Sequence, residues 1–176
     1  TLHLFNLLEE DLCAVNIETK INISINLSPL SMINDLLVNR LIQLNKIMGQ
    51  KFQFIIELTE DCAICNYEES FKNIELLKEK GIKVALDDFG KGFSTLERLM
   101  QFPFDYIKLD RLFLNSYNFE TFKKVLEISV ITKSKIIAEG IELKEQYDFL
   151  RKKNIELYQG FYFCKPVSTL EFISML

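Results

Sequence analysis

Histidine is almost absent from this 176-residue chain; His3 is the only one. That excludes a Ser-His-Asp triad and a histidine-rich metal centre. Cysteine is scarce too. Of Cys13, Cys62, Cys65 and Cys164, only Cys62 and Cys65 make a C-x-x-C, and it has no second ligand pair, so reduced, structural thiols are expected rather than a zinc site. Positive charge is also short, with 21 Lys and Arg against 25 Asp and Glu and a net charge of −4. A general nucleic-acid binder needs the opposite balance. No apolar run approaches the ~18 residues that span a membrane. The opening segment carries Glu9, Glu10 and Asp11 and lacks the basic start of a signal peptide. The first strand-to-helix turn has neither G-x-G-x-x-G nor a P-loop, which lowers the dinucleotide-binding and NTPase readings. The expected location is cytoplasmic, with membrane anchoring of a parent chain left open. A start at Thr1 rather than Met is read as a fragment, a processed chain or an excised domain.

Hydrophobic residues make up 48% and charged residues 26% of the chain, an ordinary balance for one core. No linker divides residues 1–176, so a single domain is expected. Helix and strand signals alternate throughout. Leu2, Phe5, Leu8 and Leu12 share a helical face in a segment predicted from Leu2 to Val15. A strand is predicted from Ile21 to Leu27. Pro29 ends it, and a helix follows with Ile33, Leu37, Leu41, Leu44 and Met48 at helical spacing, stopped by Gly49. Four further strands are predicted at "FQFIIELTE", "IKVALDD", "DYIKLD" and "KIIAEG", and a sixth at "ELYQGFYF". Helices are predicted around Phe71 to Leu77, from Phe119 to Ile131 and from Leu143 to Lys153. Ser94-x-x-Glu97 and Ser168-x-x-Glu171 are candidate capping boxes. The strands are continuous apolar runs without clean alternation, as suits parallel strands covered on both faces. The fold class is therefore α/β, as a doubly wound sheet or a (β/α) barrel, with about six βα units.

The polar residues have a pattern of position. Asn26, Glu57, Asp87 with Asp88, Lys108 with Asp110, Glu139 and Gln159 stand in turn at the carboxyl ends of the six strands. In a barrel those ends open on one face, which holds the active site. A lone acid at a strand end is usually a helix cap or a solvated loop residue. Acids or amides at nearly every strand end are not explained in that way. Crowded carboxylates are costly unless cations neutralise them. Glu57, Asp87, Asp88 and Glu139 carry four negative charges, which two divalent ions would balance. Oxygen ligands favour magnesium, manganese or calcium. Such a two-metal centre suits phosphoryl chemistry, with a lysine near the developing charge and a carboxylate to take a proton from water.

The stretches "INLSP", "IELTE", "ALDDFGKGFSTL", "YIKLD", "IIAEGIE" and "YQGFYFCKP" follow one another in the order of the motifs of EAL domains, and the chain resembles that family from about Leu8 onward. The resemblance implies a TIM-like (β/α)8 barrel and hydrolysis of cyclic-di-GMP to linear pGpG. It implies Asn26, Glu57, Asp87 and Asp88 as ligands of two Mg2+ or Mn2+ ions, with Asp87 shared. Lys108 would contact the attacking water or the phosphate, Glu139 would ligate or act as general base, and Gln159 would lie close by. Glu60 and Glu142 would anchor the loop after Asp88. A homodimer and a fused sensory or GGDEF domain in the parent chain also fit the family pattern.

Three departures stand beside that resemblance. The glutamate of the family's Glu-Ala-Leu motif is absent, together with the first two strands. The domain is thus read as N-terminally truncated, leaving two open sheet edges and an exposed apolar interior. Lys91 replaces the family's usual Thr, with milder changes at Phe93 and Thr95. The stretch between Lys108 and Glu139 is a few residues short. Two functions stay open: a cyclic-di-GMP phosphodiesterase, or a degenerate domain serving as a cyclic-di-GMP receptor or protein-interaction module.

Overall fold

The computed structural model describes residues 2–13, 15, 17–59, 66–89, 102–111 and 119–175. Six parallel strands form one sheet: β1 (Ile21–Asn26), β2 (Phe52–Thr59), β3 (Lys83–Asp87), β4 (Tyr106–Leu109), β5 (Lys135–Ala138) and β6 (Leu157–Tyr158). Their order in space is their order in the chain, as in a barrel wall. The described helices are α1 (Leu2–Leu12), α2 (Pro29–Met32), α3 (Asp35–Met48), α4 (Tyr67–Glu79), α5 (Phe119–Thr132), α6 (Lys144–Lys152) and α7 (Thr169–Ser174). None is long and apolar enough to cross a membrane.

The local sequence explains the boundaries. Ser28 caps α2, accepting from the Ser31 N–H at 3.2 Å, with Pro29 at the first helical position where its missing N–H costs nothing. Asn34 then caps α3, accepting from the N–H groups of Leu36 and Leu37. The expected single helix is therefore split in two, and Ile33 lies in the break. Ser168 and Glu171 form the predicted capping box of α7. The Ser94–Glu97 box lies outside the described residues.

The core lies between sheet and helices. Phe52, Phe54, Ile56 and Leu58 of β2 pack there with Leu41 and Leu44 of α3 and Ile74 and Leu77 of α4. Asp105 secures the lower end of β3 and β4. One of its carboxylate oxygens accepts from the Val84 N–H at 3.0 Å, and Lys78 and Lys83 pair with it. Among the described residues, every buried side-chain nitrogen or oxygen has a hydrogen-bond partner.

Two expectations need correction. The sixth strand is not the whole of "ELYQGFYF": it is only Leu157–Tyr158. Beyond it, Tyr162 and Phe163 turn into a ring ladder with Tyr147 and Tyr158, with centroids 5.0 to 6.0 Å apart. Ring packing won over strand pairing there. Second, an apolar interior was expected at the sheet edge, but among the described residues the exposed face of β1 is polar. Ile25 is buried, with Ile21 and Ile23 packed against the core, while Asn22, Ser24 and Asn26 on the other face are exposed. That alternation lets an end strand meet water without an apolar surface.

Candidate active site

Parallel register sets the heights of the strand-end residues. Asn26 is level with Glu57, Thr59 with Asp87, and Lys108 with Ile137. Glu139 follows β5 directly, its N–H donating to the Leu109 carbonyl at 3.0 Å. Side chains from β2, β3, β4 and the end of β5 thus converge on one point. Lys108 Nζ lies 2.5 Å from Glu57 Oε2, 2.7 Å from Glu139 Oε1 and 3.2 Å from Asp87 Oδ1. Glu57 and Lys108 are each only 4% exposed.

Three carboxylates and one ammonium leave a surplus of negative charge in a buried place. Burial alone would pull the Lys108 ammonium down, but hydrogen bonds to Glu139 and Glu57 outweigh it and hold its pKa well above the ordinary lysine value. Glu139 moves up, because burial disfavours its anion more than Lys108 favours it, and the charges of Asp87 and Glu57 add to the rise. Both shifts have the same consequence for stability. A raised folded pKa contributes stability that is present below the unfolded value and lost as pH rises through the folded one. For Glu139 that loss begins above about pH 4.5, and for Lys108 only above about 10.5. In EDTA, the Glu139 contribution to stability should fall as pH rises above about 4.5, read as a pH-dependent difference in melting temperature between wild type and Glu139→Gln. A difference that does not vary with pH would remove Glu139 as its source.

The adjacent aspartates divide their work. Asp87 points into the cluster, and one of its oxygens also accepts from the Asp88 N–H at 2.9 Å. Asp88 takes a left-handed conformation, φ 55°, which turns the chain sharply at the strand end. Aspartate tolerates that conformation better than most residues.

The other expected residues fall into separate groups. Asn26 is exposed at the end of β1 beside Glu57. Gln159 and Glu142 do not join the lysine cluster. They line a neighbouring cavity of about 310 Å3 together with Asp110, Arg111, Glu139 and Phe161. Glu142 lies 3.7 Å from Arg111 Nη1. Glu60 and Lys91 lie outside the described residues, as do Cys62, Cys65, Phe93 and Thr95. Cys13 and Cys164 are free thiols.

The donors fit hard divalent cations, since carboxylates from three strands meet without a sulfur or imidazole among them. As the side chains stand, they close on Lys108, and among the described residues no trio of acidic, histidine or cysteine side chains is spaced around an ion. Sequence reading missed Arg111 and Phe161 as neighbours of the site. The available signal was glycine, since Gly140 and Gly160 each follow a polar strand-end residue, Gly140 leaving room for the Arg111 side chain and Gly160 for the Ile141 backbone.

Comparison with known proteins identifies the family. Relatives include the oxygen sensor protein DosP of Escherichia coli K12, 34% identical over 157 residues, which cover 85% of this chain and 19% of that protein. The cyclic di-GMP phosphodiesterase PdeR of the same organism is 37% identical over 122 residues, 66% of this chain and 18% of the relative. This chain thus spans less than a fifth of either protein's length. The EAL domain of Mycobacterium smegmatis DcpA superposes with a TM-score of 0.78 at 27% identity, over 87% of this chain and 71% of that one. Klebsiella pneumoniae BlrP1, solved as a calcium and cy-diGMP complex, superposes with a TM-score of 0.74 at 26% identity, over 96% of this chain and 43% of that one. The six-stranded sheet is accordingly part of a TIM-like barrel. The EAL domain model matches residues 2–166, and the chain belongs to the EAL domain family.

Proposed function

We propose that this chain is the greater part of a metal-dependent phosphodiesterase domain that hydrolyses cyclic-di-GMP to linear pGpG. The observation that carries the reading is the convergence of Glu57, Asp87 and Glu139 on Lys108 at the carboxyl ends of parallel strands. The names of relatives such as PdeR, and the calcium and cy-diGMP complex of BlrP1, support the substrate and a divalent ion.

Asn26, Glu57, Asp87 and Asp88 would hold two Mg2+ or Mn2+ ions, with Asp87 shared. Bound there, the ions would lower the pKa of water and neutralise phosphate oxygens. Lys108 keeps its positive charge across the working pH range and stabilises the negative charge that builds at phosphorus. Burial raises the pKa of Glu139 above the ordinary carboxylate value, which favours its taking a proton from the attacking water. The new bond joins the water oxygen to phosphorus. The P–O3′ bond breaks, and its oxygen leaves as the 3′-hydroxyl of pGpG after gaining a proton. Gln159 would orient the water. Glu60 and Glu142 are proposed as anchors of the loop after Asp88. The name of DosP, an oxygen sensor, supports a parent protein in which a sensory domain governs this one, and a fused GGDEF domain and a homodimer are further parts of the proposal.

Turnover read by chromatography tests this on the chain and on its full natural length. Product with Mg2+ or Mn2+, and none in EDTA, is the expected outcome. Asp87→Asn should lower turnover by at least a hundredfold with the melting temperature little changed. Retained activity in that variant would sink the metal assignment. Bound nucleotide without product, in both lengths and with Mn2+ supplied, would make the domain a receptor.

A further inference from the structure

The turn between β5 and α6, from Glu139 to Leu143, is held by its backbone N–H groups. The Glu139 N–H donates to the Leu109 carbonyl at 3.0 Å, and the Ile141 N–H to the Gln159 carbonyl at 3.1 Å. The N–H groups of Glu142 and Leu143 both donate to one side-chain oxygen, Gln146 Oε1, at 2.9 and 3.0 Å. The first two acceptors belong to the main chain of the neighbouring strands. The far half of the turn is fastened by a single glutamine on α6.

The capping pattern shows what that glutamine serves. In a capping box the first residue's side chain satisfies the helix, and the side chain three residues on reaches back to the first residue's N–H. Ser168 and Glu171 make both halves at the start of α7. At the start of α6 the first place is held by Leu143, whose side chain has no polar atom and is 58% exposed. The half that stabilises the helix is therefore missing, and the half that grips the incoming chain is kept. Gln146 also takes the Glu142 N–H, which lies outside the helix. A role confined to α6 would be met by the Leu143 N–H alone.

We infer that Gln146 is a positioning residue for Glu139. Gly140, next to Glu139, has φ +64°, a region that glycine enters freely, so the turn has a permissive joint beside the carboxylate. The bonds on either side of that joint select one conformation. Ile141 is pinned to Gln159, Glu142 and Leu143 to Gln146, and in that conformation Glu139 Oε1 stands 2.7 Å from Lys108 Nζ. Losing the glutamine oxygen frees the far side of the joint and lets the carboxylate drift. A displaced base costs rate more than binding, because the proton moves in the transition state. The inference rests on the proposed role of Glu139, and it adds a residue that sets where Glu139 stands.

Two variants of the full natural protein test it. Gln146→Met keeps the length of the side chain and removes the amide oxygen. Gln146→Glu keeps an acceptor oxygen, and a negative charge suits the first turn of a helix. Gln146→Met should lower kcat for cyclic-di-GMP roughly tenfold with KM within about twofold of wild type. Gln146→Glu should bring kcat back to within about twofold of wild type, since it still accepts both N–H groups. Hydrogen exchange, resolved to single residues by mass spectrometry, should be faster at Glu139, Glu142 and Leu143 in Gln146→Met and at the wild-type rate in Gln146→Glu. The assignment is overturned by an unchanged kcat in Gln146→Met, by an equal fall in both variants, or by unchanged exchange at Glu139. A kcat that falls only with the fraction of protein unfolded at the assay temperature makes the role merely structural and overturns it too. If wild type gives no product while exchange follows the expected pattern, the phosphodiesterase reading fails and the positioning of Glu139 by Gln146 stands.

Discussion

Lys108→Met is expected to cost about 3 kcal/mol of folding stability at neutral pH in EDTA, the range for removing one partner of a buried ion pair. The reason is charge left behind. Lys108 Nζ contacts carboxylates from β2, β3 and the end of β5, and Glu57 is as buried as the lysine itself. Methionine fills much of the same volume but balances none of that charge. For a chain of this length the loss corresponds to a fall of roughly 10 °C in melting temperature. Two companion measurements separate charge from packing. Lowering the pH should shrink the gap between variant and wild type, because Glu139, whose pKa burial raises, needs no counter-charge once protonated. Added Mn2+ should stabilise the variant more than the wild type. A loss under about 1 kcal/mol at neutral pH, with no dependence on pH, would falsify the picture of a lysine offsetting buried carboxylates.

Gly160→Ala should be comparably damaging, for a steric reason. The added Cβ would meet the Ile141 carbonyl oxygen at 2.1 Å, its nitrogen at 2.3 Å and its carbonyl carbon at 2.7 Å. All three atoms are backbone, so no side-chain rotation relieves the clash. The segments are also tied: the Ile141 N–H donates to the Gln159 carbonyl at 3.1 Å, and the Tyr162 N–H donates to the Ile141 carbonyl at 2.9 Å. Moving them apart breaks those bonds beside Gln159 and Phe161. A loss of about 3 kcal/mol or more is expected from thermal melts, within the tail reserved for clashes and broken networks. Gly81→Ala is the matching control. Gly81 has φ +82°, and a Cβ there meets nothing within 4 Å, so only backbone strain of about 1–2 kcal/mol remains. If the two variants melt together, the close approach at Gly160 has no energetic weight.

The strands were readable because apolar runs such as Phe54-Ile55-Ile56 have one stable use, a wall buried on both faces. Their polar ends were readable for the converse reason, since acids recurring where buried strands stop are hard to explain singly. The meeting of Glu57, Asp87 and Glu139 on one lysine follows from parallel register, which periodicity alone does not fix. The split between α2 and α3 depended on which polar residue capped a helix, and Asn34 outcompeted helical continuity through Ile33. The shortness of β6 was hidden because Phe161, Tyr162 and Phe163 have strong strand propensity. What holds Tyr162 and Phe163 is Tyr147, a residue of α6 distant in sequence. The Arg111–Phe161 cavity was illegible for a similar reason, because it is assembled by glycines whose missing side chains matter only in three dimensions.

The agreement between strand order and chain order has a bearing on how the molecule is made. Among the described strands, each from β2 onward pairs with the one synthesised just before it. Such a wall can grow by accretion as the chain leaves the ribosome, every βα unit docking on an existing edge. Loop closure is then met in short instalments rather than in one long-range search. Among the described strands β6 is the smallest, with two residues at an open end of the sheet, so reversal should begin there and travel back towards β1.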